Sequence, residues 1–354
     1  MWEIRYVLFE LNNLEGVHQT LSHNQGEQAQ EPALKKPIRV GLIGLGRHGS
    51  RYLRHLMEEE TGGQLVAISR QQVDEGRRQA AHHHLQFFPD YRDLIADPAI
   101  QAVLVVTPPA LNMPIALEAI HHRKAILLEK PLALNSSEGR HIVEAATQAG
   151  VPLMTGHTLR YEPVIRKIQD IGPSFGPWQS LSGTMHLEER PEINRVQGTR
   201  HGVLLEFGIH LLDWVRVMMP RASFTVSANM TRSSPRSPER HAEITLTCQS
   251  GLSCRLDIAR VRTKRISHIE VVGTRERVRG DWTSGIIQIF DQEKLISEET
   301  VPSTPTIVLM LNDFLRALRT GEPVPITDED GLKAVELAEA CYQAAQTGQK
   351  IAVK

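Results

Sequence analysis

Glu206, His210 and Asp213 lie four and then three residues apart in a mostly apolar stretch, 204–219. On an α-helix these spacings put the three groups on one face, while Ile209, Leu212 and Val215 supply packing elsewhere. Ionisable groups on one stripe of an otherwise apolar helix are costly unless they line a cleft, where an imidazole becomes a candidate general acid or base. A second candidate is Lys130, in Glu129-Lys130-Pro131 at the end of an apolar strand pattern over 125–128. A lysine alone more often extends to water, so Lys130 gains its weight from the helix residues.

The third signal is Gly44-Leu45-Gly46-Arg47-His48-Gly49, set between the apolar run Ile38, Val40, Leu42, Ile43 and a helix-period stretch with Tyr52, Leu53, Leu56 and Met57. In this strand, turn and helix setting each glycine has a mechanical task. Gly44 allows the tight turn, Gly46 lets the backbone approach a pyrophosphate, and Gly49 lets the helix pack close to the strand. The helix N-terminus presents N–H groups to the phosphates. Where a second strand, 65–68, ends, an NAD site usually carries an acidic residue; this chain has Ser69-Arg70. A carboxylate would repel a 2′-phosphate. Ser69 can hydrogen-bond one and Arg70 can add a charge-assisted pair of about 1.5 to 3 kcal/mol, so the expected cofactor is NADP, with NAD possible. The bland alternative is an Arg70 that only stacks on the adenine.

These groups need elements to hold them. A strand over 102–106 ends at Thr107-Pro108-Pro109, a helix follows over 113–122, and Asn135 with Glu138 forms a capping box that opens a helix over 136–149. Repeated βαβ units build a parallel sheet that binds ligands beyond the carboxyl ends of its strands. After about residue 158 the pattern changes to alternating strands over 180–186, 223–230, 242–248, 253–259 and 267–272, a mostly antiparallel sheet. Helices over 306–319 and 331–346 close the chain, with Gly348 at a C-cap, and 232–240 reads as a loop. Residues 1–37, rich in polar residues without periodicity, read as a flexible extension.

Composition narrows the partners. With 41 acidic and 40 basic residues in 354, the chain has no bulk pull toward nucleic acid or an anionic membrane, and no apolar run of 18 residues spans a bilayer. Three scattered cysteines, Cys248, Cys254 and Cys341, give no disulfide framework and fit a reducing cytoplasm. His82-His83-His84 and His121-His122 diverge around a helix and do not converge on a metal, and the arginines between 260 and 279 lack interleaved aromatic residues for base stacking.

From Ile38 to the end, the glycine turn, Thr107-Pro108, Glu129-Lys130-Pro131, Glu206-x-Gly208-x-His210-x-x-Asp213 and Thr347-Gly348 occur in an order that resembles the Gfo/Idh/MocA oxidoreductases. The resemblance implies an α/β chain: a Rossmann domain over 38–157, then a substrate-binding and oligomerisation domain over 158–354 with an open, mostly antiparallel sheet. It implies a sugar or polyol site between them and a homodimer or homotetramer. By position, Lys130 matches the family's EKP lysine, His210 its catalytic histidine, and Glu206 stands where an aspartate is usual. The turn Gly44 to Gly49, Ser69, Arg70, Thr107, Pro108, Asn112, Glu129 and Lys130 would meet the cofactor. Asn112 replaces a common histidine and can still hydrogen-bond a ribose or amide. The expected chemistry is interconversion of a secondary alcohol and a ketone, with His210 exchanging the hydroxyl proton and Lys130 stabilising the oxygen, or the two in exchanged roles, which the sequence does not assign. Glu206 would orient the imidazole or bind a neighbouring hydroxyl. Lys130, His210, Arg160, Tyr161 and Asp213 are the expected substrate contacts, with His186 and Arg190 nearby; Asp213 could instead only anchor its helix. The rival reading is a non-catalytic sensor of the same fold.

Overall fold

The computed structural model describes residues 36–59, 61–189, 201–234 and 237–353; residues 1–35 of the expected extension and Arg190 lie outside them. The first half alternates β1 (Ile38–Ile43), α1 (Gly49–Glu58), β2 (Gly63–Ser69), α2 (Val73–His83), β3 (Gln86–Phe88), α3 (Tyr91–Ala96), β4 (Ala102–Val105), α4 (Asn112–His121), β5 (Ala125–Glu129), α5 (Ser136–Ala149) and β6 (Leu153–Gly156). The six strands form one parallel sheet in the order β3-β2-β1-β4-β5-β6. The order reverses at β1 and β4, which opens a crevice above their carboxyl ends.

Alternate residues of these strands enter two cores. Val40, Leu42, Leu104 and Leu127 face one side with Tyr52 and Leu56 of α1, while Ile43, Val103, Val105 and Ile126 face the other with Ile115 and Ile142. The first side is completed from far along the chain. Ile307, Met310, Leu311, Phe314 and Leu315 of a late helix join that core, and Leu315 sits so close that a Cβ on Gly63 would lie 2.7 Å from it.

Beyond β6 come α6 (Pro163–Ile171), β7 (Trp178–Glu188), α7 (Ile209–Met218), β8 (Phe224–Arg232), β9 (Glu239–Cys248), β10 (Ser253–Val261), β11 (Ile266–Gly273), β12 (Arg277–Asp281), β13 (Ile286–Asp291), β14 (Lys294–Thr300), α8 (Thr306–Thr320), α9 (Asp328–Thr347) and β15 (Ile351–Val353). Nine strands form an open sheet in the order β14-β13-β12-β11-β7-β10-β9-β8-β15. Only β7 and β10 pair in parallel, so the sheet is mixed and mostly antiparallel, as expected. Its inner face packs on α7 and α9: a Cβ on Gly183 would touch Leu211, and one on Gly208 would touch Ile258.

Several local readings are corrected. The supposed 232–240 loop is trimmed at its ends, since β8 runs to Arg232 and β9 starts at Glu239, the two residues pairing with each other. Helix α9 starts at Asp328 because Thr327 and Asp330 form a reciprocal capping box, three residues before the expected start. At α5 the box is incomplete: Asn135 accepts from the Glu138 N–H at 2.9 Å, but the Glu138 carboxylate accepts from Leu134 instead. Among the described residues, no helix is long and apolar enough to cross a membrane.

Candidate active site

The glycine turn follows β1 at the sheet's crevice. Gly44 takes φ +93° and donates its N–H to the Ser69 carbonyl at 2.9 Å; a Cβ there would lie 2.3 Å from the Val106 carbonyl oxygen. A Cβ on Gly49 would lie 1.9 Å from the Gly44 carbonyl oxygen, so α1 packs against the turn only with glycine present. Gly46 differs. A Cβ there would meet no protein atom within 4 Å, so nothing in the fold itself requires a glycine. The first turn of α1 carries no side-chain cap and no acidic residue. An open glycine beside an uncapped helix N-terminus fits the pyrophosphate of a dinucleotide. Leu45 is buried, and Arg47 and His48 are exposed.

At the end of β2 the Ser69 side chain is buried. The Arg70 guanidinium donates to Gln79 Oε1 at 3.0 Å and to Gln72 Oε1, with Glu75 at 3.9 Å. Its side chain is only 13% exposed, so the cation is held at the strand end rather than extended into solvent.

Lys130 follows β5, and its surroundings are bonded together. Asn112 is buried and donates to the carbonyls of Pro131 at 2.8 Å and Glu129 at 3.3 Å, while its own oxygen accepts from Thr107 at 3.4 Å. The amide expected to meet the cofactor thus ties the Thr107-Pro108 turn to the lysine's strand. Glu129 is buried and accepts from the Tyr52 hydroxyl and the Lys130 N–H, and its Oε1 lies 2.8 Å from His48 Nε2. Burial alone would push this carboxyl up, but the His48 bond and the neighbouring positive charges outweigh it and hold it below the usual carboxylate range. Tyr52 is driven well above its ordinary value by burial and by Glu129. The Lys130 ammonium donates to the backbone carbonyl of Glu206, reaching across to the second sheet's helix.

That helix is not the continuous α-helix expected over 204–219. Leu204–Gly208 is a π-helical turn leading into α7. The wider winding changes where the first residues point, and the Glu206 carboxylate pairs with Arg260 at 2.6 Å instead of turning to His210. His210 keeps part of its surface open, while its Nδ1 is buried without a hydrogen-bond partner. Loss of solvent, then the charges of Lys130 and the neighbouring histidines, hold this imidazole well below its ordinary value, so it is neutral at physiological pH.

Asp213 is fully buried and accepts from Arg160 at 2.8 and 2.6 Å; Arg160 also reaches Asp330 at 3.3 Å, at the start of α9. Asp213 therefore anchors α7, and Arg160 joins it to α9. Tyr161 is buried in the core beneath the Arg166 guanidinium. His186 belongs to the outer face of the open sheet, since Gly183 and Met185 carry the inner alternation, and its Nε2 lies 2.9 Å from Asp257. Of the expected substrate contacts, Lys130 and His210 converge; Arg160, Asp213 and Tyr161 are structural neighbours behind them, and His186 points elsewhere.

One member of the cluster escaped the sequence reading. His157 is wholly buried, neither ring nitrogen is hydrogen-bonded, and its ring stands edge-on to His210 at 6.0 Å between centroids. The available signal was register. Gly156 pairs with Glu129 in the parallel sheet, so the next residues on the two strands, His157 and Lys130, emerge side by side.

Two family models match the chain: an oxidoreductase family with an NAD-binding Rossmann fold over residues 38–157, and its C-terminal alpha/beta domain over 194–353. The chain belongs to the Gfo/Idh/MocA oxidoreductases. Family members are NAD(P)-dependent enzymes, and the cradle around Gly46 fits that cofactor class. The chain is 27% identical to the uncharacterized oxidoreductase YrbE of Bacillus subtilis, with 91% of this chain and 98% of the relative covered. It is 23% identical to scyllo-inositol 2-dehydrogenase (NADP(+)) IolW of the same species, with 89% and 95% covered. The fold is shared with UDP-N-acetylglucosamine 3-dehydrogenase GnnA from Acidithiobacillus ferrooxidans at a TM-score of 0.77, 21% identity, and 88% and 99% coverage.

Proposed function

We propose that this protein interconverts a secondary alcohol and a ketone on a sugar, polyol or related small molecule, with NADP as the preferred cofactor. The observation that carries the reading is the reach of Lys130, at the crevice of the Rossmann sheet, to the Glu206 carbonyl, four residues before the neutral imidazole of His210, with the open turn at Gly46 on the same sheet. The substrate class is supported by the inositol and sugar-nucleotide enzymes among the relatives. The cofactor preference is supported by Arg70 at the end of β2, where an acidic residue would repel a 2′-phosphate, and by the NADP named for IolW.

When bound, the nicotinamide supplies the two-electron acceptor or donor. The chain's own residues manage the proton. His210, uncharged at physiological pH, takes the proton of the substrate hydroxyl in oxidation and returns it in reduction. Lys130 bonds the same oxygen and stabilises its developing charge. Glu206 is a positioning residue: its carbonyl holds the Lys130 ammonium, and its carboxylate fixes the π-helical turn to Arg260. The Arg160–Asp213 pair holds α7, and with it His210, against α9.

A fluorescence titration with NADPH and NADH, repeated on Arg70→Asp, tests the cofactor reading. Tighter binding of NADPH that reverses in the variant supports it; an unchanged ratio removes Arg70 from cofactor choice, and binding of neither overturns the reading. A homodimer or homotetramer through the outer face of the open sheet completes the proposal, and a monomer by light scattering would refute it.

A further inference from the structure

The π-helical turn Leu204–Gly208 is held from outside its own helix. Val203, in the N-cap position, offers it no side-chain bond. Instead the buried Glu239 carboxylate, at the head of β9, accepts from the Leu204 N–H at 3.2 Å and from the Tyr342 hydroxyl of α9 at 2.8 Å. The Tyr342 oxygen in turn faces the Leu205 N–H. The same carboxylate lies so close to the chain entering the turn that a Cβ on Gly202 would fall 1.7 Å from it. Further along, Arg260 of β10 pairs with the Glu206 carboxylate at 2.6 Å, sets its guanidinium 4.8 Å from the centre of the Phe207 ring and donates to the Glu188 carbonyl at 3.0 Å. Resting on the reading of Lys130 as the group that bonds the substrate oxygen, we propose that Glu239 and Tyr342 are positioning residues: they cap the π-helical turn so that its Glu206 carbonyl meets the Lys130 ammonium.

The winding of the turn is what needs holding. The Ile209 N–H donates to the Leu204 carbonyl, five residues back, where an α-helix would use the N–H of Gly208. Such single π turns are rare inside α-helices and concentrate at functional sites. The first N–H groups of a helix have no partner within it, and an acidic group is favoured at that end by the helix dipole. Here a carboxylate and a phenol meet two of them, at Leu204 and Leu205, both buried. Burial and the neighbouring carboxylate push the Tyr342 hydroxyl up, so it keeps the proton that it donates. Once the cap is lost, those N–H groups are unmet in apolar surroundings, and rewinding toward an α-helix rotates the Glu206 carbonyl away from Lys130. Helix α7 beyond the turn is anchored through Asp213 and Arg160, so His210 keeps its place while the lysine loses its partner.

The test is trace acetylation of the folded full chain with an N-hydroxysuccinimide ester of acetate, the rate at each lysine being read by mass spectrometry. An amine reacts through its lone pair, so an ammonium that donates to a carbonyl is slowed. Tyr342→Phe keeps the ring and removes the hydroxyl; Lys130 should then react about three- to tenfold faster than in wild type, the worth of one hydrogen bond. Two lysines serve as controls and should be unchanged: Lys124, at the opposite end of β5, whose ammonium donates to the carbonyls of Asp97 and Ile100, and the exposed Lys294 of β14. Glu239→Ala should exceed Tyr342→Phe, and Glu239→Gln, which keeps an oxygen for the Leu204 N–H, should lie between wild type and Glu239→Ala. Should Glu239→Ala not fold, Tyr342→Phe alone decides. An unchanged rate at Lys130 in Tyr342→Phe overturns the proposal, and so does an equal rise at Lys124, which would mean that the pair only stabilises the fold. On an identified substrate, Tyr342→Phe should lower kcat about tenfold with the KM for NADPH unchanged, and an undiminished kcat counts against the proposal. The labelling needs no dinucleotide, so a wild type that binds neither NADPH nor NADH would overturn the dehydrogenase reading and leave the capping result standing.

Discussion

Two groups of histidines and carboxylates occupy opposite sides of the nine-stranded sheet, and they differ in how their polar atoms are met. On the outer face, His241 hydrogen-bonds Asp257 at 2.6 Å, and His186 Nε2, buried and without a hydrogen bond, still lies 2.9 Å from the other oxygen of a carboxylate that is 42% exposed. On the inner face, His157 has no hydrogen bond at either nitrogen, His210 has none at Nδ1, and the nearby Asp213 is already taken by Arg160. The residue types are the same, but the surroundings are not. Water screens the outer charges, so a proton gained or lost there changes little. Burial removes most of the solvent on the inner side, so the position of a single proton there is energetically decisive, which is the condition for acid–base chemistry.

The largest expected contrast lies in turnover. Once a substrate is identified, His210→Ala and Lys130→Met should each lower kcat/KM by about 10²- to 10⁴-fold, the usual worth of a positioned proton-transfer group. His241→Ala, on the outer face, should remain within about twofold of wild type. Comparable losses on both faces would break the comparison. Next in size is stability. Asp213→Ala leaves the largely buried Arg160 without its principal partner and should cost about 3 kcal/mol in denaturant unfolding. Asp257→Ala, which removes only half-exposed contacts, should cost less than about 0.5 kcal/mol. Equal shifts in the two midpoints would mean that the outer cluster is more desolvated than its exposure indicates.

How much of this was legible before folding depended on whether a residue's task is local. The positive φ of Gly44 and the contact of Gly49 with the Gly44 carbonyl are set within six residues, and the strand and helix on either side follow from periodicity, so the turn and the parallel sheet could be read directly, although the Val106 carbonyl that also crowds Gly44 could not. The order of motifs likewise indicated the open sheet. Strand β3, three residues long, is too short to display a period, and β6, Leu-Met-Thr-Gly, lacks the continuous apolar run that announces the equally short β4. The exposed β14, with Lys, Ser and Glu among its seven residues, lacks an apolar face to announce it. The π-helical turn was hidden because Leu204, Leu205, Phe207 and Ile209 are apolar all around, leaving no stripe from which to read the winding. The fates of Asn112, Arg160 and Asp213 depended on partners up to 170 residues away, as in the Arg160–Asp330 contact, and spacing along the chain holds no information about those.

The smallest expected effect sharpens the comparison from the inner side alone. The folded chain holds His157 and His210 below the ordinary imidazole value of 6.5, both chiefly through loss of solvent. An unfolded chain regains that value, so as pH falls through 6.5 the unfolded state binds protons that the folded state refuses, and stability declines. Each ring contributes at most about 1.4 kcal/mol per pH unit within the window between its folded and unfolded values. His157→Phe keeps the ring volume and the edge-on packing against His210 but removes one of the two refused protons. Its stability should therefore fall less steeply than wild type between about pH 6.5 and 5, as measured by urea midpoints across that range. A variant that loses stability as steeply as wild type would mean that His157 already carries its proton in the folded state. The charge would then sit beside Asp213, and the inner cluster would resemble the outer one after all.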